Sequence, residues 1–478
     1  MKRPFLPWAI ALGLSGCAVG PRYTRPPVPT APADNGRLPA HYKESNGWKQ
    51  AQPADHTLRA EWWKAFRNPE LDSLEAQIEV SNQTLKAAEA RFRQARALVA
   101  RSRSALYPNL STFPSITTNR LSANSANRPA NVREYSNLVA PVDFSYELDA
   151  WGRIRRSIAA AREELQATAA DLETLRLSLH AEMALAYFGL RGLDAQAQLL
   201  SRTLVTYQRA LELTESQFAG GLASGTEVAQ ARTQLETTRA QYIAIAAARA
   251  NFEHAIAVLA GRTPESLSLP TAPLVQEPPV IPTGVPSQLL ERRPDIAAAE
   301  RRMAEANEGI GIARAAFFPS LFITIAGGLQ GDSFANWFAW PSRFWALGPS
   351  SLQTLFDAGR RRAVQEEATA GYEAAVANYR DTALQAFQQV EDSLSTLRTL
   401  EQESKAQHDA VVAAARWLEL SMRRYTGGLV TYLEVVSAQS ISLANQRVEV
   451  DLLRQRMDAT VLLIKALGGG WDASKLPR

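Results

Sequence analysis

The chain has 478 residues, 52 Lys plus Arg against 48 Asp plus Glu, and a single cysteine. The charge balance gives no reason to expect nucleic acid, and one cysteine excludes a disulfide framework. Beyond the amino terminus no apolar run reaches the roughly 18 residues of a membrane helix, so the chain is either soluble or inserted as strands.

Met1-Lys2-Arg3 supplies positive charge, Phe5 to Leu14 is mostly apolar, and Ser15-Gly16 are small, the layout of a secretory signal over residues 1–16. Leu14-Ser15-Gly16-Cys17 resembles a bacterial lipobox, which implies cleavage before Cys17 and its lipidation. Ala18, a non-acidic residue after that cysteine, favours the outer membrane. Residues 17–60 are Pro-rich without helical period and read as an extended tether. Glu61-Trp62-Trp63 opens a first repeat over 61–270, with an amphipathic helix from Leu71 to Leu106 that stops at Tyr107-Pro108. A strand pair over 109–149 follows: Leu110 to Asn119 outward, a polar tip from Ser122, and a return in which Val142, Phe144, Tyr146 and Leu148 alternate with polar residues.

A long helix then occupies 152–219, rich in Ala, Leu, Glu, Gln and Arg and free of proline. At 1.5 Å per residue it extends on the order of 100 Å and must bury its apolar stripe in a bundle or coiled coil. Gly189 and Gly192 mark a place where it could bend. It ends at Gly220-Gly221, and a return helix occupies 226–260. After a Pro-rich linker over 271–293, a second repeat over 294–470 gives a helix, a hairpin at 320–356, a long helix at 359–426 and a return helix at 432–467, with 471–478 as a tail.

The two repeats keep register over a long distance: 359 − 152, 428 − 221 and 468 − 261 all equal 207 for the glycines. Upstream of the hairpins, Glu89 and Glu300, and Pro108 and Pro319, are offset by 211. Such constancy means duplication of one structural unit. The four residues lost in the second copy belong in a loop between strands.

Two hairpins give four strands, and four strands with free edges cannot stand in lipid. Three chains would supply a closed twelve-stranded barrel. The expected fold is therefore an α+β membrane protein, a trimeric barrel continued by a long α-helical coiled-coil tunnel. Tyr107, Trp151, Phe317, Phe318 and Phe356 lie where helix meets strand and would form an aromatic belt. Arg153, Arg155 and Arg156, and Arg360, Arg361 and Arg362, open the long helices, where cations oppose the helix dipole and call for a partner such as lipid phosphate. Trp151, Arg153, Phe356 and Arg360 are thus the membrane-interface candidates.

Chemistry is not signalled. His41, His56, His180, His254 and His408 show no metal-ligand spacing, and neither a phosphate loop nor Gly-x-Ser-x-Gly occurs. The expectation is no enzyme, no metal, and no cofactor beyond covalent lipid on Cys17.

Cys17 with Gly20-Pro21-Arg22-Tyr23, Trp62-Trp63, the duplicated helix–hairpin–helix unit, Asp149-Ala150-Trp151-Gly152-Arg153 and Phe356-Asp357-Ala358-Gly359-Arg360 together resemble the TolC-like outer-membrane efflux factors, in their lipoprotein branch. The resemblance implies a homotrimeric channel-tunnel in the outer membrane, contacting outer-membrane lipid and joined to a periplasmic adaptor and an inner-membrane pump. Small molecules would pass without chemistry. It also implies an aperture at the helical tip, here Leu433, Glu434 and Ser437, with serine where the family often has a second acid. A closed-state latch would join the Tyr425 hydroxyl to the Glu227 carboxylate, and the turns at Gly220, Gly221, Gly427 and Gly428 would meet the adaptor. The alternatives are a non-conducting, periplasm-spanning coiled-coil lipoprotein, or a protein-secretion conduit of the same fold.

Overall fold

The computed structural model describes residues 19–27, 42–44, 61–122, 124, 134–281 and 292–470. The signal segment, Cys17, His41, His56 and the tail 471–478 lie outside the described residues. A short 3-10 turn, Trp62–Phe66, buries Trp62, Trp63 and Phe66. Asn68 then caps helix α1, Pro69–Ser81, accepting hydrogen bonds from the backbone N–H of Glu70 and Leu71.

The apolar stripe that reads as one helix from Leu71 to Leu106 is two helices. Asn82 adopts an extended conformation (φ −63°, ψ 123°) between α1 and α2, Gln83–Ser104. Its Oδ1 accepts from Leu85 N at 2.9 Å, and its Nδ2 donates to Leu259 O at 2.8 Å. One side chain thus supplies the bonds that the broken backbone gives up.

The first hairpin contains β1, Asn109–Ser111, β2, Ser115–Arg120, and β3, Glu134–Leu148. Pro114, which has no N–H, separates β1 from β2, and both pair with β3 along a single course. Helix α3, Arg153–Ala219, has 67 residues and α4, Gly225–Leu259, has 35. The second repeat gives α5, Pro294–Ala315, β4, Ser320–Gly331, β5, Arg343–Leu352, α6, Arg360–Thr426, and α7, Tyr432–Ala466. Its lengths match the first: 67 residues in α6, 35 in α7, and 22 in each of α2 and α5.

Each pair of shorter helices is stacked end to end beside the long ones, and the two joints are built alike. Gly261 (φ 68°) and Gly468 (φ 88°) end the return helices in the left-handed region. A Cβ on Gly261 would lie 2.3 Å from Ser81 O, and one on Gly468 would lie 2.2 Å from Arg292 O. Only glycine meets both demands, positive φ and backbone contact. Across the first joint Asn82 reaches Leu259 O, and across the second Arg293 Nη1 reaches Ala466 O at 3.1 Å.

Helix α3 continues through Gly189 and Gly192, which serve packing rather than a break. A Cβ on Gly189 would lie 2.7 Å from the Phe252 ring of α4, and one on Gly192 2.9 Å from Arg454 Cδ of α7. The linker after Gly261 is strapped to this level. Arg191 donates to Pro270 O at 2.6 Å, Arg249 donates to Leu269 O at 2.7 Å, and Asp194 accepts from Ala272 N at 3.1 Å.

Strand order is β1/β2–β3–β4–β5, all antiparallel. The helices beside the strands pack in the same order, α2–α3–α5–α6, and at the far end the order is α4–α3–α7–α6. Each strand continues a helical column, and the first and last columns form open edges in both layers. β5 is such an edge, which is why its Gly348-Pro349 is tolerated, with Pro349 opposite Ile323.

Register assigns the sheet two unlike faces. Leu110, Phe144, Ile325 and Leu347 align in one row, with Tyr146 and Ile323 below it and Val142, Gly327 and Trp345 above. The opposite face carries Ser111, Asp143 and Ala326 in one row and Ser145 and Thr324 in the next. An apolar outside and a polar inside is the pattern of a membrane barrel.

Two outcomes test this arrangement. Cysteine at Asp143 should react with membrane-impermeant maleimide in the inserted protein, whereas cysteine at Val142 or Ile325 should be protected from it. Asn82→Ala should lower stability by about 2 kcal/mol, through a lost cap and an orphaned carbonyl. Thermal melting of the helical circular dichroism in detergent checks it.

Candidate functional site

Two places gather the residues singled out by the sequence: the tip where long helices turn into return helices, and the junction where strands become helices. At the tip, Gly221 (φ 72°) and Gly428 (φ 71°) turn the chain. Leu222 N returns to Gln217 O at 2.8 Å, and Leu429 N to Arg424 O at 2.9 Å, so each helix end is closed by its own backbone. Leu222 and Leu429 remain exposed at the extremity. Beneath them Tyr207, Leu211, Leu235, Tyr425, Tyr432 and Val435 form a buried cluster.

The expected Tyr425–Glu227 hydrogen bond is replaced by two others. The Tyr425 hydroxyl donates to Gln217 Oε1 at 2.5 Å. Glu227 Oε2 accepts from Ser224 N at 2.7 Å in a capping box, and its Oε1 accepts from Tyr432 N at 3.2 Å. The backbone donors of two helix starts claim this carboxylate, leaving the phenol to a neutral amide. Those bonds, from Ser224 first and then Tyr432, hold the Glu227 carboxyl below its ordinary pKa.

Glu434 is the counterpart of Glu227, since 434 − 227 = 207, but behaves differently. It turns back onto α6, accepting from Ser421 Oγ at 3.2 Å and Arg424 Nη1 at 3.1 Å. The first turn of α7 has no side-chain cap from Thr431 and relies on Glu227 of the other repeat. Leu433 and Ser437 share an exposed face of α7, and the Ser437 hydroxyl donates to Leu433 O at 2.9 Å. Sequence reading missed Gln217, Ser421, Arg424 and the Tyr432 amide. The available signal was that Gln217 and Arg424 are also offset by 207.

At the junction, the Trp151 ring stacks on Phe318 at 4.7 Å, and its Nε1 donates to Pro319 O at 2.8 Å. Phe356 is exposed just before α6, and Arg361 lies over the Phe317 ring. The arginines do not depend on an outside partner as a group. Arg153 pairs with Glu147 at 2.6 Å, Arg155 with Asp149 at 3.1 Å, Arg156 with Glu308 at 2.9 Å and Arg361 with Asp357 at 2.6 Å. Asp149 also accepts from the N–H of Ile154 and Arg155, so an acid at the helix start offsets the unfavourable cations. Arg360 and Arg362 have no ion pair among the described residues.

The segment read as a free tether is clasped here. Val19 N donates to Trp151 O at 3.2 Å, Arg156 Nη2 donates to Pro21 O at 3.3 Å, and the Arg25 guanidinium reaches Tyr379 and Glu300. Residues 19–27 thus bind the α3, α5 and α6 columns together.

Buried His180 lies between Glu75 at 2.7 Å and Glu79 at 3.1 Å and stacks on Trp63 at 4.3 Å, tying α1 to α3. Burial pushes this imidazole down, but the two carboxylates outweigh it and leave its pKa raised. Among the described residues no group of three or more His, Cys, Asp or Glu could hold a metal, and no helix is long and apolar enough to cross a membrane.

The family model for "Outer membrane efflux protein" matches residues 74–262 and 285–469. The chain belongs to this family. The two matches are offset by 285 − 74 = 211 and 469 − 262 = 207, the offsets of the internal repeat. Toluene efflux pump outer membrane protein TtgF of Pseudomonas putida is 35% identical, over 99% of this chain and 98% of its own length. Cation efflux system protein CusC of Escherichia coli is 30% identical, with 98% of both chains covered. The solved outer-membrane channel OprN superposes with a TM-score of 0.87 at 27% identity, covering 95% of this chain and 100% of that one. The chain is an outer-membrane efflux channel protein, of a transport family rather than an enzyme family.

For this efflux protein, Glu227→Ala removes the acceptor that Tyr432 N uses across the two hairpins, a bond contributing about 1 kcal/mol, which should favour their separation roughly fivefold. Single-channel conductance in planar bilayers reads the change. A carboxyl with a depressed pKa stabilises the tip above the ordinary carboxylate range, and that contribution is lost as pH falls through its folded value. Acidification through and below the ordinary carboxylate range should therefore weaken the contact between the hairpins in the wild type and raise conductance, while Glu227→Gln shows no such step.

Proposed function

We propose that three copies of the chain close into a twelve-stranded barrel continued by a tunnel of helices, and that the tip is its gate. One observation carries this reading: strands and helices are ordered in the same four columns, and both layers stop at open edges. Backbone groups on the edges of β1/β2 and β5 need partners inside a bilayer, and a neighbouring copy supplies them without changing the fold. The polar face with Asp143 then lines a water-filled lumen, and the apolar face meets lipid.

Leu433, Glu434 and Ser437 would line the periplasmic aperture, with Glu434 held by Arg424 in the closed state. Gly220-Gly221 and Gly427-Gly428, each followed by an exposed leucine, Leu222 and Leu429, form the end offered to a periplasmic adaptor and through it an inner-membrane pump. Lipid on Cys17 fits the same geometry. Val19, the first described residue after that cysteine, is bonded to Trp151 O beside the aromatic belt. Trp151, Arg153, Phe356 and Arg360 would mark that inner boundary.

The cargo is a small molecule moved without chemistry. The relatives named for toluene and for cations share this architecture, so the fold leaves the cargo to the pump and adaptor. A non-conducting scaffold would have no use for a sheet with one polar and one apolar face.

Native mass spectrometry of protein extracted from outer membranes in mild detergent should show a trimer, and the same sample should form channels in planar bilayers. A monomer or dimer, or a trimer without conductance, would sink the proposal.

A further inference from the structure

The loop after β4 carries an unused cluster of aromatic residues. Phe334, Trp337, Phe338 and Trp340 fall within seven residues, and Phe334, Phe338 and Trp340 are exposed. The loop is ordered by its own bonds: Asn336 Nδ2 to Asp332 Oδ1 at 2.6 Å and Ser342 Oγ to Asn336 O at 2.6 Å. It lies at the end of β4 away from the junction with α5, and so at the outer side of the membrane.

Register identifies the face that matters. Arg343 aligns with Leu329 and Ala140, and Trp345 with Gly327 and Val142, so both lie on the apolar, lipid-facing side. The Arg343 guanidinium sits 3.2 Å from the centre of the Trp340 ring. Trp340 is 73% exposed and Trp345 80% exposed. A cation on the lipid face is costly at mid-bilayer and tolerated only near a boundary. From Leu321 to Leu329 the strand extends about 27 Å, which a tilt of about 40° reduces to roughly 20 Å in height. That places Arg343 at the outer edge of an apolar band of about 25 Å. Its charge has no carboxylate partner among the described residues.

We infer that Trp340, Arg343 and Trp345 form a docking site for a phosphate-bearing glycolipid headgroup in the outer leaflet. The inference rests on the barrel reading above. The guanidinium offers planar N–H donors to phosphate while its face stays on Trp340. Trp345, one step nearer the membrane centre on the same face, packs on the first methylenes of the acyl chains. Because β5 is the edge strand, the site lies beside the seam with a neighbouring copy.

The test uses the full-length assembly in mild detergent, incubated with bis-phosphorylated lipid A, with the same lipid stripped of phosphate, and with phosphatidylglycerol. Native mass spectrometry counts bound lipid. Wild type should retain the phosphorylated lipid, and both dephosphorylation and Arg343→Gln should reduce retention about tenfold, the effect of one charge-assisted contact. Trp340→Leu should weaken retention as well and serves if Arg343→Gln does not assemble. Equal retention by the variants overturns the site. Equal retention of phosphatidylglycerol overturns the assignment to glycolipid. Conductance measured on each sample separates the two readings, since a variant that conducts but has lost lipid bears on the site alone.

Discussion

The structure depends on a length constraint. A helix of 67 residues stands beside two shorter ones that must cover the same height, and the shorter pair can do so only if its joint transmits load without a gap. Pressing a glycine in the left-handed region onto a carbonyl from the neighbouring helix end brings the two axes as close as backbones permit. Asn82 and Arg293, which differ in chemistry but occupy equivalent places, each close the joint by bonding a carbonyl from the last residues of the return helix. With both joints at one level, the linker and α1 gather there too, around buried Arg191, Asp194 and His180. The result is a buried layer between the helices beside the strands and the helices that lead to the tip.

The repeats are equal in length and unequal in chemistry where function demands it. Glu227 and Glu434 occupy the same place in their helices, yet one spans both return helices and the other stays with its own long helix. At the junction, Asp149 and Asp357 both serve the start of a long helix, although they sit one residue out of register with each other. The two repeats thus share their helix lengths and differ in the single polar side chains that bind at the tip and at the junction.

Much of this was legible in the sequence because glycine pairs and prolines mark ends that no side-chain pattern can hide. The 207-residue offset locates both tips and both joints without reference to any contact. What was illegible had specific causes. The break at Asn82 does not interrupt the apolar period, and an asparagine reads as tolerable within a helix. The second copy does announce it, through Pro294, which transfers by 211 to position 83. Tyr425 has Gln217 and Glu227 on neighbouring turns, and spacing alone cannot choose between acceptors that the same turn presents. The arginines at the junction read as lipid ligands only when the helix is taken without Glu147, on the strand before it, and Asp149, just after that strand. The clasp by residues 19–27 had no periodic signal at all, since extended segments bind through individual side chains such as Arg156 and Glu300.

The tip bonds are of two kinds, those within a hairpin and those between the two hairpins. Within the α6–α7 hairpin, Arg424 and Ser421 hold Glu434; within α3–α4, Arg232 holds Glu215 at 2.9 Å. Between the hairpins run Tyr425 to Gln217, Tyr432 N to Glu227, Tyr207 to Gln439 O at 3.2 Å, and Gln234 to Ser440 at 3.1 Å. Three of these four join neutral groups, each contributing about 0.5–1.5 kcal/mol, comparable to the exposed ion pairs within each hairpin. Glu227 is the ionised member of the four, and its backbone donors lie at the starts of helices on both sides. Separation would leave the first turn of α7 without its cap while α4 keeps its own. The cost of separating the hairpins at this bond therefore falls on the hairpin that carries Glu434, whose first turn loses its acceptor.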